Sequence, residues 1–235
     1  MKTDPSVTTH TALVVGAGGV IGRNLIDYLM TLPEWNVIGV SRRGGEDAPR
    51  LHYISVDLLN EADTQAKLGH LTTVTHIFYA AYQDRSTWAE LVQPNLAMLV
   101  NVVNAIEPIA PNLQHISLMQ GYKVYGAHLG PFKTPARETD AHHMPPEFNV
   151  DQQQFLEERQ PGSGWTWSAL RPFVVCGTQG HSIMDADTIN KPVPELQESA
   201  FLFVHQRSET GSLNRILPLS PYTFSTCISP HLHIR

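Results

Sequence analysis

Cysteine is nearly missing from this chain of 235 residues, where only Cys176 and Cys227 occur. Two thiols cannot build a disulfide framework, so a reducing, cytoplasmic setting is expected. No apolar run approaches the roughly 18 residues of a membrane span. The opening MKTDPSVTTH carries no signal-peptide core. Basic charge is not in excess either, the net charge being −6. That argues against nucleic acid or an anionic membrane as partner, since both ask for a cationic patch. A small-molecule substrate is the expected partner, and nothing in the pattern speaks to oligomeric state. Histidines are scattered, with His142-His143 the one adjacent pair and no HExxH or Cys/His cluster. No metal site is therefore expected.

Alternation is what the chain does have. Short apolar runs at Thr11–Val15, Trp35–Val40, His52–Val56, Val74–Tyr79, Leu113–Leu118 and Trp165–Val175 predict strands. Between them, Val20–Leu32 repeats apolar residues at helical spacing, as does Asn95–Glu107, bracketed by Pro94 and Pro108. Asp151–Arg159 reads as a further helix. Strand–helix alternation predicts an α/β fold with a doubly wound parallel sheet. Residues 1–184 are expected to form that domain. Residues 185–235 lose periodicity and are interrupted by prolines, apart from one possible helix at Glu195–His205. They are expected to form a short, irregular C-terminal segment.

The first strand runs into VVGAGGVIG, a glycine turn that opens a helix, the arrangement that cradles a phosphate. The spacing G-x-x-G-x-x-G fits Gly16, Gly19 and Gly22, with Gly18 left over. Gly16 would allow the tight turn, Gly19 the close approach of a pyrophosphate and Gly22 the packing of helix on strand. Val20 and Ile21 supply the first amides of the helix. The second strand ends in Ser41-Arg42-Arg43, where an NAD site usually places a carboxylate. A hydroxyl and two guanidiniums suit a 2′-phosphate, so NADP(H) is the expected cofactor. Asp57-Leu58, after the third strand, stand where such folds usually touch adenine.

The segments GAGGVIGRNL, SRR, KLGHLTTVTHIFYAAY, PNLQHISLMQGYKVYG, HLGPFKTPARE and GWTWSALRPFVVCG together resemble the progesterone 5β-reductase/iridoid synthase-like short-chain dehydrogenases. The likeness runs over about residues 11–184 and implies a Rossmann fold and NADPH-dependent reduction of enones. It places the family's lysine at Lys123 and lines the nicotinamide side with Pro172 through Val175. The family's tyrosine falls on Asn149, an amide that donates a hydrogen bond but is no acid. Tyr122 and Tyr125, either side of Lys123, are the phenols that could replace it. The C-terminal substrate lobe of the family has no counterpart in residues 185–235. The expected function is reduction of an α,β-unsaturated carbonyl or a related carbonyl compound. The alternatives are a catalytically impaired NADP(H)-binding sensor or partner protein, and a carbonyl reductase or epimerase-like enzyme.

Overall fold

A computed structural model describes residues 10–141 and 145–172. The expectations for Val175, the histidine pair 142–143, the helix at 195–205 and the boundary at 184/185 all lie outside those residues. Six strands, β1 (His10–Val15), β2 (Trp35–Ser41), β3 (Leu51–Ser55), β4 (His76–Tyr79), β5 (His115–Met119) and β6 (Thr166–Leu170), form one sheet. Every pairing is parallel, in the order β3-β2-β1-β4-β5-β6. The order reverses between β1 and β4, the switch point at whose C-terminal edge such sheets bind ligands. The α/β class with a doubly wound Rossmann sheet is thus the observed fold.

Parallel strands are buried on both faces, which is why β1 reads as an unbroken apolar run. On one face Ala12, Val14 and Val37 pack against Ile26 and Leu29 of α1 (Val20–Met30), with Trp35 beside them. On the other, Leu13, Val15, Ile77 and Ile116 meet three helices. These are α2 (Glu61–Leu68), α3 (Trp88–Ile106) and α4 (Phe148–Arg159). Among the described residues no helix is long and apolar enough to cross a membrane.

Two helices differ from the sequence expectation. Helix α3 starts seven residues before Asn95, and Pro94 lies inside it. A capping box sets the start: Thr87 Oγ1 accepts from the Glu90 amide at 3.3 Å, and Glu90 Oε2 from the Thr87 amide at 3.1 Å. Pro94 lies past the first turn and forfeits one helical amide bond, while the next side chain, Asn95 Nδ2, donates back to Leu91 O at 2.8 Å. Helix α2 has no counterpart among the expected elements. It buries only Thr64 and Leu68 and is held by the Asn60 cap and the Lys67–Asp63 pair. Polar capping rather than periodicity defines it.

Candidate functional site

At the end of β1 the Gly16 amide donates to Val40 O at 2.9 Å with φ at +93°. A Cβ there would stand 2.6 Å from Ala80 O, so the turn admits only glycine. A Cβ on Gly22 would collide with Gly16 O and stand 2.8 Å from Ala17 Cα, so α1 lies directly on the turn. Gly19 is tight at 3.3 Å from Gly16 O, whereas Gly18 has only Ser41 near it, at 3.8 Å. No side chain caps α1. Its first amides, those of Val20 and Ile21, point at the space above the turn. This glycine cradle, which side chains would fill, and an uncapped helix N-terminus fit a dinucleotide pyrophosphate.

Ser41 closes β2, its hydroxyl donating to Gly44 O at 3.2 Å. Arg42 and Arg43 follow, both exposed. Among the described residues neither joins an ion pair. Two guanidiniums without a carboxylate partner fit an anionic group at this edge. Asp57 is exposed and its Oδ1 accepts from the Leu59 amide at 3.1 Å, shaping its own turn. Leu58 turns its side chain into the core, only 6% exposed, and its carbonyl accepts from Asn101 Nδ2 at 2.9 Å. Of that pair only Asp57 offers a side chain to a ligand.

After β5, Gly121 leads into a 3₁₀ turn over Tyr122–Tyr125 that carries Lys123. The Lys123 ammonium lies 4.1 Å over the Trp88 ring of α3. Burial pulls its pKa below the ordinary lysine value, against which the charges of Glu147 and Asp84 act. Asn149, 4% exposed, sits in the first turn of α4. Its amide donates to Glu147 Oε1 at 2.6 Å and its carbonyl accepts from Gln120 Nε2 at 2.7 Å. Glu147 caps α4, its other oxygen accepting from the Val150 amide at 3.2 Å.

Tyr125 is buried in a different set of contacts. Its hydroxyl accepts from Arg171 Nη1 at 3.2 Å, and the guanidinium lies 5.5 Å from the ring centroid. Arg171 is itself fully buried and reaches Gln120 Oε1 at 2.8 Å, Gln153 Oε1 at 2.6 Å and Glu138 O at 3.4 Å. Through Gln120 this hub holds the first turn of α4, which carries Asn149. Pro172 follows Arg171, its carbonyl 3.8 Å from where a Gly121 Cβ would stand. Lys123 and Asn149 therefore flank one region beyond β5 and β6, with Tyr125 behind it. Sequence reasoning missed Trp88, Glu147, Gln120 and Arg171, and also Tyr82 and Asp84 in the loop after β4. No sequence pattern marks them; the approach of that loop to the glycine turn exists only in the fold.

A family model described as a PRISE-like Rossmann-fold domain matches residues 49–183. An (S)-8-oxocitronellyl enol synthase of Nepeta cataria is 39% identical over 194 residues, 74% of this chain and 48% of that protein. A 3-oxo-Delta(4,5)-steroid 5-beta-reductase of Arabidopsis thaliana is 35% identical over 194 residues, again 74% and 48%. The chain spans about half the length of these curated relatives. Among solved structures, UDP-glucose 4-epimerase from Brucella ovis in complex with NAD superimposes with a TM-score of 0.61 at 16% identity. That match covers 80% of this chain and 59% of the epimerase, and it shows a shared fold.

Proposed function

The chain belongs to the family of PRISE-like Rossmann-fold domains, and from that premise we propose that it is an NADPH-dependent reductase of an α,β-unsaturated carbonyl compound. A reduced nicotinamide would supply the hydride. The glycine cradle would hold the pyrophosphate, and Arg42 with Arg43 would take the 2′-phosphate in bidentate contacts. The names of the relatives, an enol synthase and a steroid 5-beta-reductase, support the substrate class. The observation that carries the reading is the half-buried Lys123 ammonium at the C-terminal edge of β5, where its charge would stabilise an oxyanion growing on the substrate. Only two cysteines support a cytoplasmic setting.

A second reading, an NADP(H)-binding protein without turnover, draws on Asn149, whose buried amide is already engaged with Glu147. One experiment separates the two. NADPH and NADH oxidation is followed at 340 nm with cyclohexenone and enal substrates, in the wild type and in Lys123→Ala. Turnover with NADPH that falls about 100-fold in the variant supports the reductase. Tight NADPH binding without oxidation by any enone would leave the sensor. Equal use of NADH would remove the role given to Arg42 and Arg43.

A further inference from the structure

Asn149 offers an amide and no acidic proton, and the fold brings a phenol to the same region. We propose that Tyr82 is the proton donor of the reaction, a proposal that rests on the reductase reading above.

Its place in the fold is the first argument. Tyr82 follows β4 at the switch point, two residues beyond Ala80, whose carbonyl abuts Gly16 of the glycine turn. Its ring lies 5.7 Å from that of Phe148, the residue before Asn149. The phenol therefore stands between the glycine turn and the start of α4, on the edge where the sheet binds ligands. It is 40% exposed. The other phenols near the strand ends are placed differently. Tyr79 is 1% exposed within the sheet core, Tyr125 lies beneath Arg171, and Tyr122 packs edge-on against Tyr125 and Phe132.

The second argument is that this loop is held. Asn95, fully buried on α3, accepts from the Gln83 amide and donates to the Gln83 carbonyl, both at 2.8 Å. Gln152 of α4 donates to Asn95 O at 2.8 Å. The residue next to Tyr82 is thus tied to α3, which carries Trp88, and through Asn95 linked to α4, which carries Asn149. A catalytic group needs that kind of fixed placement.

Charge is the third. The Tyr82 hydroxyl donates to Asp84 Oδ1 at 3.0 Å, and Asp84 also acts on Lys123. Burial, then Asp84, push the phenol up to about 12, so it is a neutral O–H at physiological pH. A phenol held neutral keeps its proton to offer to an enolate oxygen, whose conjugate enol is a comparably weak acid. In the step, the Tyr82 hydroxyl turns from Asp84 to the enolate oxygen left when hydride has reached the substrate β-carbon, its O–H bond breaks, and an O–H bond forms on that oxygen. The enol then becomes the ketone, and water returns a proton to the tyrosinate, which its exposure allows.

The test is Tyr82→Phe, which deletes one oxygen and keeps the ring against Phe148. NADPH affinity is measured by fluorescence, and the affinity of NADP⁺-loaded protein for 4-nitrophenolate, a stable oxyanion, by absorbance. NADPH affinity and melting temperature unchanged, with 4-nitrophenolate bound roughly tenfold to a hundredfold more weakly, supports Tyr82 as the donor. Turnover of cyclohexenone is then expected to fall by about 100-fold or more. Undiminished 4-nitrophenolate affinity in Tyr82→Phe overturns the assignment while leaving the reductase reading intact. Failure of the wild type to bind NADPH at all overturns that reading, and the assignment with it.

Discussion

Arg171 has a guanidinium that is fully buried, yet every partner described for it is an uncharged oxygen: Gln120, Gln153, Tyr125 and the Glu138 carbonyl. A buried charge without a counter-charge draws its stability from hydrogen bonds alone, so the geometry of the fork should matter more than the charge. Replacing Arg171 by methionine removes the desolvation cost of the ion. It also leaves the Gln120 and Tyr125 oxygens, in residues 8% and 7% exposed, short of a donor. Each orphaned group costs about 1–3 kcal/mol, and relief of the buried charge offsets part of that. The expected net loss for Arg171→Met is about 1–3 kcal/mol. Lysine keeps a buried charge, is more strongly hydrated when exposed, and cannot span oxygens that the planar fork meets from three nitrogens. Arg171→Lys should therefore lose more, about 3–5 kcal/mol. Urea unfolding followed by fluorescence reads both. A lysine variant within about 1 kcal/mol of wild type, or more stable than the methionine variant, would refute the reasoning.

Acid should weaken the sheet at the end opposite the site. Burial, followed by the charges of His10 and His115, holds His76 down at about 4 against an ordinary value of 6.5. Its folded form stays neutral while the unfolded form takes a proton below 6.5, so stability from this group is intact above that pH and drains away towards 4. The loss is about 3.4 kcal/mol at most, and less for a ring that is not fully buried. Unfolding midpoints across that window should slope less in His76→Phe, and an identical slope would remove His76 as the cause. In the glycine turn, Gly22→Ala sets a Cβ against the Ala17 and Gly16 backbone. It should cost about 1–3 kcal/mol and abolish NADPH binding. Gly18→Ala, with only Ser41 at 3.8 Å, should change neither thermal midpoint nor affinity.

The parts of this fold that show in the sequence are those that water decides. Strands with buried faces must carry apolar residues, so each of the six showed as a short apolar run, although the sixth ends at Leu170 rather than at the expected Val175. Glycines without room for a Cβ declared the turn as plainly. What stayed hidden is decided by polar groups acting on particular partners. Asn60 starts α2, Thr87 and Glu90 move the start of α3 ahead of Pro94, and Glu147 starts α4 three residues before Asp151. Single capping residues leave no periodic trace. The same holds for the site: Arg42, Arg43 and Lys123 sit within motifs at strand ends, whereas Tyr82, Trp88 and Arg171 acquire their surroundings only when distant segments meet.

Asn149 shows why that distinction matters for chemistry. Seen as one letter, it is an amide where the family resemblance leads one to expect a tyrosine. In the fold it is one member of a buried chain that runs from Arg171 through Gln120 to the Asn149 carbonyl, and from the Asn149 amide to Glu147. A phenol at this position could not donate to Glu147 from the place where the amide does, because its oxygen would lie at the far edge of a six-membered ring. The carboxylate that caps α4 would then lose a partner bonded at 2.6 Å. The amide at 149 and the carboxylate at 147 are therefore fitted to each other. The loop after β4, clamped to α3 by Asn95 and through it linked to Gln152 of α4, carries the exposed phenol of Tyr82 beside Phe148 at the start of that same helix.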